Sequence, residues 1–120
     1  MAQALFIQII SPLSGSVVTS GEILAQAQVT LDCGLPACAG GRFNPERFKV
    51  AAALFRDDVR ISEATMTYKK DIGISECRFE LMGVGDYTLQ VEAYDPETGL
   101  AGRNAVKFHA KGPLLSPSLP

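Results

Sequence analysis

The chain has 120 residues, 47% of them hydrophobic and 20% charged, with 11 basic side chains against 13 acidic ones. That length fits one domain, and the composition excludes a disordered chain. A formal net charge of −2 supplies no basic field for nucleic acid or an anionic membrane surface, and the longest basic run is Lys69-Lys70.

No stretch reaches the roughly 20 apolar residues that a spanning helix needs, so membrane insertion is not expected. The opening Met1-Ala2-Gln3-Ala4-Leu5-Phe6-Ile7 lacks the basic start of a signal peptide.

Along the chain the apolar residues recur with a period of two, the mark of strands half buried against a core. Leu5 to Ile10 is the first expected strand, and it ends at Ser11-Pro12-Leu13-Ser14-Gly15, where proline fixes φ and glycine frees it. A short β-branched piece, Val17-Val18-Thr19, follows. From Ile23 to Leu31 the residues Ile23, Ala25, Ala27, Val29 and Leu31 share one face, with Gln26, Gln28 and Thr30 on the other.

Asp32 to Arg47 is irregular, with Cys33, Cys38 and several glycines and prolines. Phe48 to Phe55 is apolar on nearly both faces, which suits a central strand, although its three alanines also suit a helix. A turn is expected at Arg56-Asp57-Asp58, then short strands at Val59 to Ile61 and Thr65 to Tyr68. Cys77, Phe79 and Leu81 alternate inward. Tyr87, Leu89, Val91 and Ala93 form the clearest apolar face in the chain. Asp95 to Gly99 reads as a turn and Asn104 to Ala110 as the last strand. Residues 112–120 read as a flexible tail or linker, leaving residues 1–111 as the domain. The expected core draws on Phe6, Ile9, Ala27, Val29, Leu31, Val50, Ala52, Leu54, Phe79, Leu81, Tyr87, Leu89, Val91, Val106 and Phe108.

Ile10-Ser11-Pro12 with Gly15, the short β piece, Gly21 and the long alternating strand resemble the opening of bacterial immunoglobulin-like modules. Gly85-Asp86-Tyr87-Thr88-Leu89-Gln90-Val91 is similar to their penultimate strand. The resemblance, to immunoglobulin-like or fibronectin-III-like modules, implies an all-β fold: a two-sheet antiparallel sandwich of about seven strands. It also implies a tyrosine corner at Tyr87, whose ring joins the core while its hydroxyl bonds nearby backbone. The chain holds no tryptophan, and its penultimate strand carries no cysteine, so the inter-sheet disulfide of antibody domains cannot form. An extracellular or periplasmic location follows from the resemblance alone.

Cys33 and Cys38 are close enough in sequence to close a small loop if oxidised; the alternatives are two free thiols or a metal pair. Cys77 reads as a small core residue. His109 is the only histidine, and nothing in the sequence sets a nucleophile or an orienting carboxylate beside it. Asp57, Asp58, Asp95 and Glu97 are carboxylates in expected turns, where calcium ligands and ordinary turn formers are both at home. Arg42, Arg47, Arg56, Arg60 and Phe43 form either a mixed patch or a solvated rim.

The expectation from sequence is therefore a noncatalytic immunoglobulin-like module of a larger bacterial protein. It would serve as a spacer or a protein-interaction and adhesion unit, with no enzyme activity, cofactor, metal or nucleic-acid partner. Its partner would be another protein or neighbouring domains of the same chain. Leu35, Arg42, Phe43 and Arg47, on the long loop, are the expected contact residues. The alternative is a carbohydrate- or calcium-binding accessory domain attached to an enzyme.

Overall fold

The computed structural model describes residues 4–19, 21–32, 48–96 and 99–111. Nine strands run through them: β1 (Ala4–Ser11), β2 (Val17–Val18), β3 (Glu22–Asp32), β4 (Lys49–Arg56), β5 (Val59–Thr65), β6 (Thr67–Lys69), β7 (Ile74–Glu80), β8 (Gly85–Tyr94) and β9 (Ala101–Ala110). They form two sheets, ordered β1-β3-β7-β6 and β2-β9-β8-β4-β5. All pairings are antiparallel except the short parallel contact of β2 with β9. The protein is an all-β, two-sheet sandwich. The count exceeds the expected seven because the edge pieces β2 and β6 each pair with a neighbour.

The core lies between the sheets and follows the period-two pattern. Ile23, Ala25, Ala27 and Val29 of β3 are buried, as are Tyr87, Leu89, Val91 and Ala93 of β8. β4 is a strand, not a helix. It lies between β8 and β5, with Val50, Ala52 and Leu54 buried on the inner face and, on the other, Ala53 buried, Phe55 half-buried and Ala51 exposed. In register, Leu54 faces Leu89 and Ala52 faces Val91, so small and large side chains share the inner surface.

Phe6 departs from expectation. Leu5, Ile7 and Ile9 point inward, which turns Phe6 outward, and it is 54% exposed. Phe6 and Ile9 cannot share a face of one regular strand, and the register shift in β1 comes only after Ile9. Val106 is half-buried against the core rather than within it.

At the seam between the sheets, Asn104 Nδ2 of β9 donates to the Ile7 carbonyl of β1 at 2.9 Å. A Cβ on Gly102 would run into the Leu5 carbonyl. Only glycine lets the two backbones come this close.

The crossing from β7 to β8 carries the tyrosine corner. The Tyr87 hydroxyl donates to the Gly83 carbonyl at 2.6 Å and accepts from the Met82 amide at 2.9 Å. The ring is buried and stacks on Phe108, with centroids 5.4 Å apart. No helix among the described residues is long and apolar enough to cross a membrane.

Candidate functional site

One end of the sandwich gathers the β4–β5 turn, the start of β8 and the end of β9. The hairpin turn is two residues long, and both carry positive φ, 52° at Asp57 and 68° at Asp58. Two left-handed residues are what a type I′ turn requires, and Asp tolerates the conformation better than most residues. The Asp57 amide donates to the Asp86 carbonyl at 3.2 Å, so the turn is fastened to β8.

On the other side, the Gly15 amide bonds the Lys107 carbonyl at 2.7 Å and the His109 amide bonds the Ser16 carbonyl at 2.9 Å. The chain before β2 is thereby laid along β9. Between these walls is a cavity of about 380 Å³, lined by Asp57, Asp58, Asp86, Thr88, Lys107 and His109, with the edges of Gly15, Tyr87 and Phe108.

His109 faces Asp86 across the β8–β9 ladder, and its Nδ1 lies 2.8 Å from Asp86 Oδ1. With a carboxylate as acceptor, Nδ1 carries the proton, and in the neutral imidazole Nε2 keeps its lone pair for another partner. Both side chains are well exposed, so the pair contributes little to stability. Its effect is to fix the tautomer and the ring.

Sequence reading left His109 without an orienting carboxylate, and the structure supplies one in Asp86. The expected Asp95 to Gly99 turn would pair Tyr94 with Leu100 and set Asp86 opposite Phe108; the observed connection is one residue longer, pairs Tyr94 with Ala101, and so brings Asp86 opposite His109.

Other expected groupings are not brought together. Asp95 is at the far end of β8 from Asp86, about 30 Å away at ~3.3 Å per residue. It is fully buried in the β8–β9 turn, where its carbonyl takes the Gly99 amide and its amide bonds the Leu100 carbonyl, both at 2.8 Å. A calcium site shared by Asp57, Asp58 and Asp95 is thus ruled out by distance. Arg56 and Arg60 have partners of their own. Arg56 bonds the Met82 and Val84 carbonyls, whereas Arg60 lies over the Phe55 ring and pairs with Glu63.

Cys77 stands on β7 opposite Ala25, half-buried against the core. Burial pushes its thiol up to about 11, the behaviour of an inert structural cysteine. Cys33, Cys38, Leu35, Arg42, Phe43 and Arg47 lie outside the described residues, as do Glu97 and the tail at 112–120. Among the described residues no group of three or more His, Cys, Asp or Glu side chains is placed to hold a metal ion.

No family model matches the chain, and no curated protein sequence matches it. Solved structures do. An engineered protein superposes with a TM-score of 0.65 at 13% identity, over 90% of this chain, which spans only 20% of that protein's length. CopC from Methylosinus trichosporium OB3b matches with a TM-score of 0.62 at 13% identity, over 96% of this chain and 99% of CopC. The copper-bound E46Q variant of FetP from uropathogenic Escherichia coli strain F11 matches with a TM-score of 0.50 at 13% identity, over 100% of this chain and 99% of that one. At such identities the likeness is one of fold. It nonetheless overturns the spacer, interaction and adhesion reading and its accessory-domain alternative. CopC and the FetP variant are matched nearly end to end, and the FetP variant holds copper.

Proposed function

We propose that the chain is a small, noncatalytic metal-binding protein and that copper is the metal to try first. The observation that carries this is the near end-to-end superposition on the copper-bound FetP variant and on CopC. The same likeness supports the extracellular or periplasmic location expected from the sequence. The finer immunoglobulin-like assignment is supported by the strand order of the two sheets and by the Tyr87 corner.

The described residues fit one anchoring ligand, not a closed cage. His109 offers Nε2, with its ring set through Nδ1 by Asp86, an arrangement in which a carboxylate orients a metal-binding imidazole. Imidazole suits copper, and thiolates suit Cu(I). The sequence holds two further cysteines, Cys33 and Cys38, which lie outside the described residues.

Native mass spectrometry tests the proposal. The chain is exposed to Cu(I) or, separately, to Cu(II), then desalted. One metal per chain is expected in at least one arm, with retention reduced by His109→Gln or by the Cys33→Ser/Cys38→Ser pair. Apoprotein alone in both arms overturns the proposal.

A further inference from the structure

We draw no further inference here: the strongest candidate, the cavity at the end of the sandwich where Asp57, Asp58 and Asp86 gather beside His109, belongs to the site already described, and among the described residues nothing beyond that acidic cluster points to a second ligand.

Discussion

Arg56 and Tyr87 stand opposite each other on neighbouring strands and close on the same three residues of the β7–β8 crossing. Arg56 Nη1 donates to the Met82 carbonyl at 2.8 Å and Nη2 to the Val84 carbonyl at 2.9 Å. The Tyr87 hydroxyl takes the Met82 amide and bonds the Gly83 carbonyl. A segment leaving one sheet for the other loses its ladder partners, and its backbone groups must be satisfied elsewhere. Two side chains supply those partners here. Gly83, at φ 115°, takes a backbone conformation open to glycine and rarely to other residues.

Tyr87→Phe removes both hydroxyl bonds and leaves the ring stacked on Phe108. The Met82 amide and Gly83 carbonyl are then left without their partner, which costs about 1–3 kcal/mol. Urea denaturation followed by circular dichroism is expected to show a lower midpoint with an unchanged slope. An unchanged midpoint would mean that water satisfies the loop and the corner contributes nothing.

Arg56→Met keeps the aliphatic stem and deletes the two guanidinium bonds. It is expected to cost about 1–2 kcal/mol. Because both residues fasten one segment, the double substitution with Tyr87→Phe should depart from additivity by at least about 0.5 kcal/mol. Strict additivity in the same denaturation experiment would show that the two clamps act independently.

Gly102→Ala places a Cβ against the Leu5 carbonyl. The Leu5 carbonyl is backbone and an alanine Cβ has no rotamer to change, so nothing relieves the clash, and a loss of about 3 kcal/mol or failure to fold is expected. Gly15→Ala is the comparison. Its Cβ meets open space and only its φ of +79° is strained, at about 1–2 kcal/mol. Equal thermal shifts in the two variants would show that the β1–β9 seam yields.

Much of this architecture was legible because alternation reports burial directly. On β3 and β8 one face is dry and the other wet, and the sequence says so residue by residue. Tyr87 was legible too, through the resemblance of Gly85 to Val91 to the penultimate strand of immunoglobulin-like modules. Phe6 was not, because a short edge strand can be started on either parity and only pairing with β3 decides which side faces in. Asp86 and His109 are 23 residues apart, and neither carries a local motif. Their meeting is a consequence of register, and the turn expected at Asp95 to Gly99 misses that register by one residue. The Arg56 clamp left no sequence signal, because nothing local distinguishes an arginine that bonds carbonyls 26 and 28 residues away from one in water.

Cys77, through its thiol, makes stability depend on pH. Burial raises its thiol from 9.0 to about 11 in the folded chain. Below pH 9 the thiol is protonated in both states, and stability does not depend on it. Between pH 9 and 11 the unfolded chain releases the proton while the folded chain keeps it, so stability falls as pH rises; above 11 the dependence ends. Tyrosines and lysines titrate in the same range, so the effect is read as a difference. Thermal melts of wild type and Cys77→Ala between pH 8 and 11 are expected to converge as wild type loses the contribution. Parallel curves across that window would show that the thiol is no better shielded from water in the folded chain than in the unfolded one. A thiol-reactive probe supplies the second measurement. In the Cys33→Ser/Cys38→Ser background at pH 8, Cys77 should react slowly in the native state and readily in denaturant.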